Sequence, residues 1–235
     1  MSFPRPKLVL FDLDGTLVDS APDLAFSIDA MLSSLGRPVC GESRVRDWIG
    51  SGAERLVKRA LTGDGEREPD GDLFRSAFGR FSEIYRENIC RRSRLYPGVR
   101  EGLDYLLASG RQIGCVTNKR GRFTEPLLAA LGLLRDFAIV VSGDTLRTRK
   151  PDPAPLLHAV EALGIVPGET LMVGDSVNDV SSARAAGIPV ICVRYGYHNA
   201  SIRSPSCPIL SDQFHLIIHW HRCRPRPCAR QTSRI

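Results

Sequence analysis

Nowhere in these 235 residues does an apolar run approach the roughly 20 positions needed to cross a bilayer, so no membrane protein is expected. The N-terminus, MSFPRPKLVLFD, carries basic residues, but its apolar stretch runs straight into acids and shows no small-residue cleavage pattern. That predicts a cytoplasmic protein. No internal repeat is found. A disulfide framework is also missing: the cysteines stand at 40, 90, 115, 192, 207, 223 and 228, an odd set with no regular spacing. Cys115 and Cys192 lie in apolar runs and read as small buried hydrophobes.

The body of the chain also lacks a charge excess. The formal charge is +6, but residues 198–235 hold six Arg, no Lys and a single acid, Asp212. The first 197 residues are close to neutral. A nucleic-acid-binding domain carries its basic residues on a face or helix of the fold. Here the excess belongs to the tail, so nucleic acid is not expected as a partner of the body.

What is present is a 43% apolar chain of a length that suits one α/β domain with an insertion. Lys7–Phe11 is a short apolar run of the kind buried on both faces of a parallel sheet. Ser20-Ala-Pro22-Asp reads as a helix start, with apolar positions continuing to Gly36. Helical patterns follow at 42–49, 53–61 and 70–90, with Gly50-Ser-Gly52 between the first two. No strand pattern is seen from about 20 to 95.

After Tyr96-Pro97-Gly98 the pattern alternates. Helices at 99–109, 122–131, 153–163 and 178–186 interleave with strands at 112–116, 137–141, 170–173 and 189–193. Alternation of this kind implies a doubly wound, Rossmann-like parallel sheet. The predicted division is a catalytic core of residues 1–18 and 96–197, a helical cap of residues 19–95, and an atypical tail of residues 198–235.

Ligands of open parallel sheets bind beyond the carboxyl ends of the strands. Those ends carry Asp12-Leu-Asp14-Gly-Thr16, then Thr117-Asn118, then Gly174-Asp175-Ser176 with Asp179 one turn later. Lys150, in Arg149-Lys150-Pro151-Asp152-Pro153, whose prolines fix a loop and a helix start, joins them. Singly, such residues serve as caps, turn formers or solvated charges. Asp12 and Asp14 together resist that reading. Adjacent carboxylates in a crevice repel, and without a counter-charge one would protonate. A divalent cation resolves the conflict.

These segments resemble, in order, the four motifs of the haloacid dehalogenase-like phosphohydrolase superfamily: Asp12-Leu-Asp14-Gly-Thr16, Thr117, Lys150, and Gly174-Asp175-Ser176-Val-Asn-Asp179. The resemblance covers about residues 7–197. It implies that Asp12 is a nucleophile that takes the phosphoryl group, with Asp14 as the general acid and base. It implies Mg²⁺ as cofactor, held by Asp12, Asp175 and the backbone carbonyl of Asp14, with Ser176 and Asp179 bracing the metal shell. Thr117, Asn118 and Lys150 would bind the phosphate. Dehalogenases lack the second aspartate, and the mutase branch commonly has a β-branched apolar residue in place of Thr16.

Three stretches, DLDGTLVDSAPDL, VRDWIGSGAERLVKRAL and GDTLRTRKPDPAPLL, are similar to the phosphoglycolate phosphatase family. This implies hydrolysis of the small ester 2-phosphoglycolate by a monomer or homodimer. A sugar-phosphate phosphatase and a phosphoglucomutase-like enzyme are the alternatives. In the cap, Gly50 and Gly52 would let backbone approach a small carboxylate, which Arg55 or Lys58 would pair with. Alternatively both cations are ordinary solvated helix charges.

The tail departs from the family pattern. Four of five His and three of seven Cys fall in residues 198–235. The reading preferred is a change of reading frame near residue 198. Zinc held by His215, His219, His221, Cys223 and Cys228 is a second reading. A basic tail that binds nucleic acid is a third, and it supplies the non-enzymatic alternative.

Overall fold

A computed structural model describes residues 6–63 and 67–197, and the backbone of 210–211. Its centre is β1, Leu8–Phe11, all four of whose residues are buried. β4 (Gln112–Val116) and β6 (Thr170–Gly174) pair with β1 on either side, both parallel. β5 (Ile139–Val141) lies outside β4, and β7 (Val190–Val193) outside β6. The order is therefore β5-β4-β1-β6-β7, followed by β8, Leu210–Ser211. The chain leaves β1 for one side of the sheet and later returns to the other. That reversal opens a crevice at the carboxyl end of β1.

Strand residues alternate between two apolar layers, as a period of two requires. Val9, Phe11, Ile113, Cys115, Leu171 and Val173 share one cluster with Leu103 of α5 (Val99–Ala108) and Leu127 of α6 (Gly121–Ala130). Leu8, Leu10, Val116 and Met172 pack on the other face. There they meet Leu156 of α7 (Ala154–Ala162) and Ala183 of α8 (Val177–Ala185). Cys115 is a buried free thiol. Cys192 is buried too, but it is disulfide-bonded where a simple hydrophobe was expected.

Between β1 and α5 the chain forms α1 (Ala21–Ser34), α2 (Glu42–Trp48), α3 (Ala53–Thr62) and α4 (Gly71–Glu87). Ile28, Met31, Val45, Leu56, Phe81 and Tyr85 from these helices share a separate apolar cluster, joined by Phe123 of α6. Asp70 caps α4, accepting from the amides of Asp72 and Leu73. The chain enters and leaves this block through a two-stranded antiparallel ribbon, β2 (Val18–Asp19) with β3 (Arg94–Leu95). Two residues a side are too few to show periodicity, and the sequence did not reveal it.

No helix among the described residues is long and apolar enough to cross a membrane. The tail was expected to be atypical throughout, yet Leu210 and Ser211 extend the sheet, in register with Cys192 and Val193. The zinc, reading-frame and nucleic-acid readings of the tail concern residues outside the described set.

Candidate active site

The crevice gathers the strand-end residues into one buried polar cluster. Asp12 follows β1, Thr117 follows β4 and Asp175 follows β6. One carboxylate oxygen each from Asp12, Asp175 and Asp179 lie within 4.8 Å of one another. Lys150, 3% exposed, reaches into them. Its ammonium contacts Asp12 Oδ1 at 2.9 Å and Asp179 Oδ1 at 2.6 Å, and donates to the Val116 carbonyl at 2.5 Å. All three of its protons are thereby used.

One lysine does not balance three buried acids. Burial raises the Asp12 pKa from 3.8 to about 6, against the lowering effect of Lys150. Burial raises Asp175 further, helped by the charges of Asp12 and Asp179. Lys150 alone does not offset the negative charge of these groups in a water-poor place. Oxygen-only donors with excess negative charge suit a hard divalent cation.

The three acids are not equivalent. Both oxygens of Asp179 are engaged: Lys150 holds Oδ1, while the amide and hydroxyl of Ser176 donate to Oδ2 at 3.0 and 2.6 Å. Ser176 and Asp179 form a reciprocal capping box at the start of α8, which fixes the loop after β6. Asp179 therefore braces the cluster. Asp175 accepts from Thr16 Oγ1 at 3.3 Å and from the Tyr197 amide at 2.7 Å. The loops are drawn in so closely that a Cβ on Gly15, where φ is +90°, would lie 2.3 Å from Asp175 Oδ2.

Asp14 turns the other way. Its carboxylate accepts from Ser20 Oγ at 2.5 Å and from Lys119 Nζ, which is 3.0 Å from both oxygens. The side chain thus stays out of the three-acid cluster and points into the cavity beneath the helical block. Ser20, expected to cap α1 with its side chain, makes no such bond. Its hydroxyl is spent on Asp14, and the amides of Ser20 and Ala21 donate to the Tyr197 hydroxyl at 2.8 and 3.0 Å.

Asn118 and Gly50 meet across the cavity. Asn118 Nδ2 donates to the carbonyls of Lys150 and Gly50 at 2.9 and 3.1 Å. Asn178 Nδ2 also donates to Gly50, at 3.1 Å. Gly52 borders the same space, packed close to Asn118 and Arg149. Thr117 lines the cavity, its hydroxyl accepting from the Lys119 amide at 3.2 Å. Arg55 is not brought to the site. It pairs with Glu68 at 3.1 Å, as Lys58 does at 2.5 Å, and neither borders the cavity. Two cations one turn apart on α3 converge on that acid, and this holds them on the outer side.

Lys119, Tyr197 and Tyr85 escaped the sequence reading. Lys119 had a usable signal, since it follows Thr117-Asn118 at a strand end. The tyrosines had none, for both depend on contacts between distant segments.

A parallel sheet reversing at β1, with three acids and a lysine at its carboxyl edge under a helical roof, defines a hydrolase-type α/β core. The chain belongs to the haloacid dehalogenase-like hydrolase family, whose model matches residues 9–193. It is 52% identical over 200 residues to the phosphoglycolate phosphatase of Nitrosococcus oceani, covering 85% of this chain and 89% of that one. To the phosphoglycolate phosphatase of Nitrosospira multiformis it is 53% identical over 199 residues, 84% and 88% of the two chains. The crystal structure of a predicted phosphoglycolate phosphatase from Haemophilus somnus 129PT superposes with a TM-score of 0.86 at 38% identity. That match covers 92% of this chain and 98% of the other.

Proposed function

We propose that this protein hydrolyses 2-phosphoglycolate to glycolate and phosphate through a phosphorylated Asp12. One observation carries the reading: the two first-motif acids are held apart by different lysines, Asp12 by Lys150 and Asp14 by Lys119. Two carboxylates in contrasting settings suit two roles. Asp12, on the side of the three-acid cluster, attacks phosphorus. Asp14, facing the cavity, protonates the leaving oxygen and then takes a proton from the water that cleaves the aspartyl phosphate. Thr117, Asn118 and Lys150 surround the place of the phosphoryl oxygens.

Asp12, Asp175 and the backbone carbonyl of Asp14 would hold Mg²⁺, which supplies positive charge to offset repulsion between nucleophile and phosphate. Asp179 and Ser176 keep Asp175 and Lys150 in place. Residues 19–95 act as a cap on a core of residues 1–18 and 96–197, with the β2–β3 ribbon at the junction. Contacts from Asn118 and Asn178 to Gly50 favour a closed cap that excludes water. The relatives' assigned substrate supports phosphoglycolate over sugar phosphates.

The test is phosphate release from 2-phosphoglycolate and from a panel of sugar phosphates, nucleotides and pyrophosphate. It is run with Mg²⁺ or EDTA, beside Asp12→Asn. Mg²⁺-dependent release from 2-phosphoglycolate, absent in the variant, is expected. Preference for a sugar phosphate would keep the chemistry and replace the substrate.

A further inference from the structure

We propose that Lys119, assisted by the Tyr85 hydroxyl, is the residue that recognises the carboxylate of the leaving group. The inference rests on the phosphoglycolate reading and deepens it. Among the described residues lining the cavity, the only cations are Lys119 and Lys150. Lys150 has no proton to spare, with Asp12, Asp179 and the Val116 carbonyl as its partners. Arg55 and Lys58, the cap cations that sequence suggested, face Glu68 instead. An anionic leaving group bound in this cavity therefore has Lys119 as its counter-charge.

The position suits that task. In 2-phosphoglycolate a single methylene separates the ester oxygen from the carboxylate, so the carboxylate oxygens lie about 3 Å from the leaving oxygen. The leaving oxygen must come within hydrogen-bond reach of Asp14. Lys119 Nζ is 3.0 Å from both oxygens of Asp14. A carboxylate that short of reach is thus delivered to Lys119, whereas the remote end of a sugar phosphate is carried past it.

Tyr85 provides the second, independent sign. It projects from α4, is fully buried and borders the cavity. The Lys119 ammonium lies 4.9 Å from its ring centroid. Lys119 acts on the hydroxyl as a donor and a charge, but among the described residues no acceptor takes the hydroxyl's own proton. A buried hydroxyl proton with no acceptor is costly to desolvate, so this group is a donor waiting for one. One cation from the core and one hydroxyl from the helical block would then grip the carboxylate together.

The experiment compares 2-phosphoglycolate with 2-hydroxyethyl phosphate, which has a similar length and no carboxylate, in wild type, Lys119→Met and Tyr85→Phe. Wild type is expected to favour 2-phosphoglycolate. The ratio of the two kcat/KM values should fall about 100-fold in Lys119→Met, through KM as well as kcat. Tyr85→Phe, which keeps the ring and its packing, should lower the ratio about tenfold and serves if Lys119→Met does not fold. An unchanged ratio in a folded variant, with both substrates equally impaired, would make Lys119 only a support for Asp14 and overturn the assignment alone. A wild type that prefers sugar phosphates overturns the substrate reading, and this inference with it.

Discussion

The Tyr197 amide donates to Asp175 Oδ2 at 2.7 Å, while the hydroxyl of the same residue accepts from the first amides of α1. That hydroxyl also donates to Asp19 Oδ1 at 2.9 Å, and Arg46 of α2 lies over the ring. One residue thus ties an acid of the cluster to the β2–β3 ribbon. Tyr197→Phe keeps the amide and ring but strips the α1 terminus of its acceptor. We expect a loss of about 1–3 kcal/mol in urea unfolding, with the Mg²⁺ requirement retained. Unaltered stability would show that water replaces the hydroxyl freely.

Lys150 is the cation on which the cluster depends. Its removal leaves Asp12 and Asp179 buried and facing each other. Lys150→Met should abolish phosphate release and destabilise the metal-free protein by about 3–5 kcal/mol. A fully active variant would remove Lys150 from the site.

In the proposed mechanism, protons and metal compete for Asp12. Its pKa, raised by burial, is about 6 folded against 3.8 in the unfolded chain. Between those values the folded state binds more protons, so this group's contribution to stability is present at low pH and lost as pH rises through about 6. A bound cation reverses the preference by favouring the ionised form. The Tm gain on adding Mg²⁺ to EDTA-treated protein should therefore grow from pH 5 to pH 7.5. An increment independent of pH would count against Asp12 as a ligand.

Gly50 receives two amides, but its donors are not equal. Asn118 also holds the Lys150 carbonyl, whereas Asn178 contacts Gly50 alone among its side-chain bonds here. Asn178→Ala should raise KM several-fold with kcat little changed. Asn118→Ala should lower both kcat and kcat/KM by 10-fold or more, on the order expected when a phosphate-binding group loses its support. Equal effects would mean that the two act only as a latch.

Arg55 offers a contrast. One of its partners is the exposed Glu68, and a pair so open to solvent is screened and contributes little. Arg55→Ala is expected to keep kcat/KM for 2-phosphoglycolate within about twofold. A much larger loss would return it to the site.

The legible parts of this protein were those written in local pattern. β1, β4 and β6 announce themselves as short apolar runs, and the rule that ligands gather at strand ends leads directly to Asp12, Thr117 and Asp175. The capping box of Ser176 and Asp179 was legible because Ser-x-x-Asp is a local arrangement. Tyr85 and Tyr197 were invisible because their meaning lies in distance. Tyr197 is separated from Ser20 by 177 positions, and no periodicity spans that interval. Arg55 misled because spacing on a helix tells which residues share a face, and not which side carries the acid that claims them.

The place of β1 bears on how the molecule is made. It precedes every other described strand in the chain, yet it stands at the middle of the sheet, and its second neighbour, β6, begins only at Thr170. A chain growing at roughly 5–20 residues per second must keep Leu8–Phe11 waiting for on the order of ten seconds or more before that edge is covered. During translation the nascent strand is a sticky, unfinished surface, and a natural client for whatever shields chains at the ribosome. Catalytic competence arrives late, because Asp12, after β1, must wait for Asp175, after β6, to be made.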